Sequence, residues 1–355
     1  MPENISERIP EQLSEKRLGG CTLGGAIAVT SFISDAVTVV HAPKGCAHQV
    51  FSMLHALVEE ASLPLLPPLL SSDMSDREVI FGGEEALSLA LDKAAAKNPA
   101  LIITVSSCVT ETIGDDSEKV CRAHPAADKI ITLPTAGFLG GRAEDGENTA
   151  LLALATLAEK CVPLPKTAAI IGEKNLETEV EENYAEVERL LSRLGISVTL
   201  RFCRNIQAAE IGKLGEASFF IIRDERVFPA GAAVAKRFDR PYVAEFPRGL
   251  SGCVTFLRDA GHCARIPEEG IERAVRDEEA YQKQMLEPFE EMRGSSVYLG
   301  AQLMEGTFDA AREAMERLGI REAPDGIPLK LPFYLPVGVS GMMKMLYLWR
   351  RRIRG

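Results

Sequence analysis

Short apolar runs alternate with amphipathic helical stretches along most of this chain, and no other feature narrows its fold as far. The runs Ala36–Val40, Leu101–Val105, Lys129–Thr132, Ala168–Ile171, Val198–Phe202, Ser218–Ile222, Tyr242–Ala244 and Ser296–Leu299 have the composition of strands. Between them lie helix-period stretches such as Gly83–Lys97, Glu147–Lys160, Glu179–Leu194 and Gly306–Leu318. An apolar run that lacks polar alternation and leads into a helix is a strand buried on both faces, the pattern of βαβ units. The expectation is an α/β protein of consecutive Rossmann-like domains, with mostly parallel sheets flanked by helices. In such sheets ligands gather beyond the C-terminal ends of the strands, where loops lead into helices.

The 355 residues suffice for two or three domains and bury enough surface to fold without disulfide staples. Three blocks are expected: 1–162, 163–292 and 293–355. Pro163–Lys166 reads as a linker, and Ala168–Ile171 opens a second βα series. A charged helical stretch, Pro267–Met292, leads to a short final block with one clear strand and two helices. Pro64, Pro67 and Pro68 stiffen an irregular segment inside the first block.

With 40 Lys+Arg against 51 Asp+Glu, the net charge of −11 weighs against nucleic acid as a partner, because neutralising phosphates needs a basic face. The basic run Arg350, Arg351, Arg352 and Arg354 reads as a solvated helix end. Residues Thr22–Ala42 resemble a membrane span only superficially. The uncharged stretch stops at Asp35, short of the ~20 residues a span requires, so it reads as a buried helix running into a strand. The polar, mixed-charge N-terminus has no apolar signal core, so a cytoplasmic location is expected, where the eight cysteines serve as thiols or metal ligands rather than disulfides.

Three of those cysteines stand out by position. Cys21 lies in the glycine-rich Leu18-Gly19-Gly20-Cys21-Thr22-Leu23-Gly24-Gly25. Cys46, in His41-Ala42-Pro43-Lys44-Gly45-Cys46, follows one strand, and Cys108 follows another within Ser106-Ser107-Cys108-Val109-Thr110-Glu111. Thiolates on loops at one sheet edge suit an iron–sulfur cluster, and adjacent glycines let backbone N–H groups approach its sulfides. Position alone leaves open three independently buried cysteines, since a free thiol behaves as a small hydrophobe. No CxxC pair signals zinc.

Taken together, Gly20-Cys21, His41 through Cys46, Val79-Ile80-Phe81-Gly82-Gly83, and Cys108 followed by Ile113-Gly114-Asp115-Asp116 resemble the nitrogenase component 1 family. That family includes the molybdenum–iron protein chains, the light-independent protochlorophyllide reductase, the F430 reductive cyclase and methylthio-alkane reductase. The resemblance implies that Cys21, Cys46 and Cys108 bind a [4Fe–4S] or larger P-type cluster at an interface between two similar chains, as a homodimer or a heterodimer. It further implies an ATP-dependent iron protein that docks and delivers single electrons. No Walker-type phosphate loop occurs here, so ATP hydrolysis belongs to that partner. The implied function is the catalytic, electron-accepting subunit of a nitrogenase-like reductase acting on an organic substrate, a tetrapyrrole or an organosulfur compound. The alternative is a non-catalytic scaffold for assembly of a metal cluster or tetrapyrrole.

The sequence departs from true nitrogenase where the large cofactor is held. Strand Ser218–Ile222 runs into Arg223 and Asp224 rather than a cysteine, and no histidine follows His262. Dinitrogen reduction in the nitrogenase manner is therefore not expected. Asp115 and Asp116 are read either as docking-face acids or as helix caps, and His41 and His48 either as donors around Cys46 or as satisfied histidines. Glu111, one helical turn from Cys108, is read as a cluster-tuning group or a cap. Cys121 and Cys161 are read as structural thiols in a helix and at a helix end. Cys203 and Cys253 are weighed as substrate or metal contacts.

Overall fold

The computed structural model describes residues 20–61, 68–137, 141–300 and 306–355. The N-terminal stretch and part of the proline-rich segment, including Pro64 and Pro67, fall outside them. The described residues divide into two compact units, one running to Val180 and resuming over Val198–Ala244, the other comprising Glu181–Ser197 and Glu245–Gly355. Parallel sheets flanked by helices define an α/β fold.

In the first unit, the nine-residue helix α1 (Thr22–Thr30) is buried along its whole length and leads into β1 (Ala36–His41). Helix α2 (Lys44–Ala61) follows, then β2 (Leu69–Ser71), α3 (Asp76–Phe81), α4 (Glu84–Ala95) and β3 (Leu101–Ser106). After these come α5 (Cys108–Ile113), α6 (Ser117–Ala123), β4 (Ile130–Leu133) and α7 (Ala143–Ala155). The sheet order is β2-β1-β3-β4, all parallel, and β1 pairs with β3 so that His41 sits opposite Ser106. Every residue of β1 and β3 is buried, which accounts for their unbroken apolar runs. Alternation still decides which face each serves: Val37, Val39 and Ile102 pack with Leu87 and Leu91 of α4, whereas Ala36, Val40 and Ile103 join the larger core.

A second sheet, in the order β6-β5-β7-β8, is built from β5 (Thr167–Ile171), β6 (Ser197–Phe202), β7 (Phe219–Ile222) and β8 (Tyr242–Val243), with α9 (Pro229–Phe238) beside β7. Its Ile171, Phe220, Ile222 and Phe238 share one continuous core with Ile27, Val40 and Leu154. Within that core α1 and α7 meet almost backbone to backbone. A Cβ on Gly25 would lie 1.8 Å from the Ala143 carbonyl oxygen, and one on Gly146 would lie 1.9 Å from that of Thr22. Only residues without a side chain allow this approach.

The other unit contains α8 (Val180–Arg193, from Glu181 onward), α10 (Ser251–Cys263), α11 (Glu268–Leu286), β9 (Ser296–Leu299), α12 (Thr307–Leu318), β10 (Arg321–Glu322), β11 (Ile327–Leu329) and α13 (Gly338–Arg354). Its parallel sheet, β10-β9-β11, corrects the expectation of one strand in the final block. The added strands are two and three residues long; β10 is the exposed pair Arg321–Glu322, and β11 is a short Ile-Pro-Leu run interrupted by its proline. Among the described residues, no helix is long and apolar enough to cross a membrane.

Candidate metal centre

All three singled-out thiols fall at the start of a helix. Cys21 is the N-cap residue of α1, Cys46 lies in the first turn of α2, and Cys108 is the first residue of α5, whose cap is Ser107. Each stands at the positive end of a helix dipole, a setting that favours a negatively charged cluster. Cys21 is exposed, and Cys46 and Cys108 are partly buried. The Gly137 N–H donates to Cys108 Sγ at 3.3 Å, the kind of N–H···S contact that accompanies cluster ligands.

The thiols also sense one another. Burial raises the Cys46 pKa, and the negative charges of Cys21 and Cys108 raise it further. Three thiolates in one field repel unless cations join them, which is what iron supplies. Among the described residues the trio does not close to within 4.8 Å, the spacing that would suit a single ion. A cluster holds its thiolates wider apart than one ion does, each on its own iron. The donor type, the shared field and the N–H contact therefore fit an iron–sulfur cluster.

A buried polar network centres on His41. His41 is fully buried, with Nδ1 3.0 Å from Ser72 Oγ and Nε2 3.0 Å from Asp115 Oδ2. Asp115 also receives the Gly83 N–H, so three of the segments carrying the resemblance meet at one carboxylate. This places Asp115 inside the protein, hydrogen-bonded rather than presented on a face. Asp116 caps α6 by accepting the Lys119 N–H at 3.0 Å. Glu111 accepts a hydrogen bond from the Ser106 hydroxyl on β3. His48 is exposed on α2.

The remaining cysteines separate by environment. Cys121 is buried in α6, and Cys161 is exposed in a loop, beyond the end of α7 rather than at it. Cys203 and Cys253 are buried to within 1 % of their surface, so neither thiol faces solvent; burial raises both thiol pKa values well above the usual range. Cys253 does lie within 4.8 Å of carboxylate oxygens of Glu186 and Glu278. Those acids are already matched, however. Arg189 holds both of them, Arg193 binds Glu278 at 3.0 Å, and the Val339 N–H donates to Glu186 at 2.6 Å. A cation there would have to displace two guanidinium groups, so the cluster is a structural pin between helices.

One group escaped the sequence reading. Glu147 on α7 has its pKa pushed up to about 8 by burial, with Glu144 and Glu177 adding to the effect and Lys174 opposing it. An acid in the first turns of a helix is ordinary, and it is burial in the folded chain that makes this one unusual.

Comparisons with known proteins follow the same line. The profile of the family described as Nitrogenase component 1 type Oxidoreductase matches residues 21–344. A nitrogenase molybdenum-iron protein alpha chain from Methanothermococcus thermolithotrophicus is 25% identical over 84% of this chain and 65% of its own. A nitrogenase iron-molybdenum cofactor biosynthesis protein NifE from Clostridium pasteurianum is 29% identical over 63% of this chain and 49% of its own. The solved structure of nitrogenase Cp1 at pH 5 superposes with a TM-score of 0.65 at 19% identity, covering 90% of this chain and 65% of that one, and shows the shared fold. The chain thus spans about half to two thirds of the length of these relatives.

Fold and profile together define an α/β protein of the nitrogenase type. The chain belongs to the nitrogenase component 1 type oxidoreductase family.

Proposed function

We propose that this chain is the electron-accepting, catalytic subunit of a nitrogenase-like reductase, with Cys21, Cys46 and Cys108 as protein ligands to a [4Fe–4S] or larger P-type cluster. The carrying observation is the placement of three thiols, each at a helix start, in one electrostatic neighbourhood. When bound, such a cluster supplies one-electron storage and transfer. The chain's own part is to hold the thiolates at helix starts, to offer the Gly137 N–H to Cys108, and to keep the 1–162 block as the cluster-binding domain, followed by blocks 163–292 and 293–355.

Three thiolates leave room for a ligand from a second chain, which supports a homodimer or a dimer of related chains. Phe51 and Met53 on α2 and Ile80 and Phe81 on α3 are exposed apolar side chains beside this region, the surface such a partner would cover. Electrons come from an ATP-dependent iron protein, and the substrate is an organic molecule. The test is anaerobic reconstitution followed by iron, sulfide and EPR measurement on wild type and Cys46→Ala. Stoichiometric iron in wild type and its loss in the variant are expected; iron-free wild type overturns the reading.

A second reading is favoured by the similarity to cofactor biosynthesis proteins: a scaffold that holds a cluster or tetrapyrrole precursor without turnover. Co-purification with a reductase partner and substrate turnover support catalysis. A tightly held precursor released to another protein supports the scaffold.

A further inference from the structure

The Ser72–His41–Asp115 network has the connectivity of a proton path. Asp115 accepts the Gly83 N–H on both oxygens, each at 3.0 Å, so its carboxylate acts purely as an acceptor and assigns the ring proton to Nε2. Nδ1 is then an acceptor, and the Ser72 hydroxyl donates to it while receiving the Ala42 N–H at 3.1 Å. Ser72 lines an open cavity of about 350 Å³ with Ser71, Asp73, Ser75, Glu78 and Lys93. Ser72 therefore touches both the cavity and the buried ring.

The His41 backbone is tied to the cysteine turn as well. The His41 carbonyl oxygen accepts from the Ser107 N–H at 3.1 Å and from Thr110 Oγ1 at 3.3 Å, the residues bracketing Cys108. The charged groups facing the imidazole are all acidic: Asp115 in contact, with Glu111 of α5 and Glu84 of α4 further away. Burial opposes them and holds the ring below the ordinary imidazole range, so it is neutral at rest. A negative charge added at the cysteine turn, to which the His41 backbone is hydrogen-bonded, would add to the acidic side of that balance.

We propose that Ser72, His41 and Asp115 form a proton relay that couples one-electron reduction at the Cys21–Cys46–Cys108 site to uptake of one proton by His41. The inference rests on the cluster reading above. An external one-electron donor, the iron protein or a dithionite-type reductant, adds one electron and one negative charge. In step, a hydronium ion in the cavity protonates Ser72 Oγ as Ser72 passes its own hydroxyl proton to His41 Nδ1, leaving a neutral water. The ring becomes imidazolium, still donating through Nε2–H to Asp115, and one solvent proton has been consumed. Reoxidation returns the proton by the same route.

The test is the pH dependence of the midpoint potential of the iron-loaded protein, titrated across about pH 5 to 8, where imidazole charge changes. In wild type the redox equilibrium should shift tenfold per pH unit across part of that range, about 59 mV for one electron. His41→Gln should load iron equally and show a flat profile, whereas Ser72→Ala should keep the slope but slow the proton-coupled step in rapid-scan voltammetry. If His41→Gln does not fold, Asp115→Asn replaces it and should move the pH-dependent window to lower pH. A pH-independent wild-type potential, an unchanged slope in His41→Gln, or an unmoved window in Asp115→Asn overturns the relay while leaving the cluster standing. Failure of wild type to bind iron overturns the cluster reading, and the relay with it.

Discussion

At the scale of single residues, environment sorts eight chemically identical thiols into different roles. Cys203 and Cys253 are sealed and resist ionisation, and Cys121 is buried, whereas Cys21 and Cys161 meet solvent. Alkylation of the native, metal-free protein followed by mass spectrometry should label Cys21 and Cys161 first and leave Cys121, Cys203 and Cys253 unlabelled until denaturant is added. His41 gives a second expectation. Its folded pKa lies below 6.5, so its contribution to stability is complete above that value and is lost as pH falls through the folded pKa. Thermal unfolding of metal-free protein should therefore show an acid-side loss that His41→Gln removes. The cysteine positions were legible from the glycine and strand signals around them. The His41–Asp115 contact was not: the partners are 74 residues apart, and only the pairing of β1 with β3 brings them together.

At the scale of elements, the long parallel strands declared themselves because burial on both faces strips them of polar residues. The exceptions are instructive. β2 is three residues long and only partly buried beside a proline-rich stretch, and β10 is the exposed pair Arg321–Glu322. Sheet edges of that kind follow from neighbouring strands rather than from their own composition. Helix packing in the Glu181–Ser197 and Glu245–Gly355 unit turns on Glu278, which is fully buried and accepts from two nitrogens of Arg189 and from Arg193. Removing one member of such a pair strands the others, so Glu278→Ala should cost about 3–5 kcal/mol in urea unfolding. The neighbouring exposed acid is the control, with an expected change within about 0.5 kcal/mol for Glu279→Ala.

For the molecule as a whole, pH acts through groups whose proton affinity differs between folded and unfolded chain. Glu147 holds its proton up to about 8 when folded but releases it near 4.5 when unfolded. The folded state thus binds an extra proton between those values, and stability falls as pH rises through that window, then levels off. Part of the side chain remains in solvent, which moderates the effect. The melting temperature of Glu147→Gln should match wild type below pH 4.5 and exceed it increasingly towards pH 8. The seam between α1 and α7 reaches further than packing. Cys21 caps α1, whose backbone rests on Gly146, while Gly137, just ahead of α7, donates to Cys108, and a Cβ on nearby Gly141 would press within 2.4 Å of Thr22 Oγ1. Residues without reactive atoms therefore set where two of the three sulfurs stand. Anyone grafting this trio onto another scaffold would have to transplant the glycines as well, because the thiols alone would arrive without their spacing.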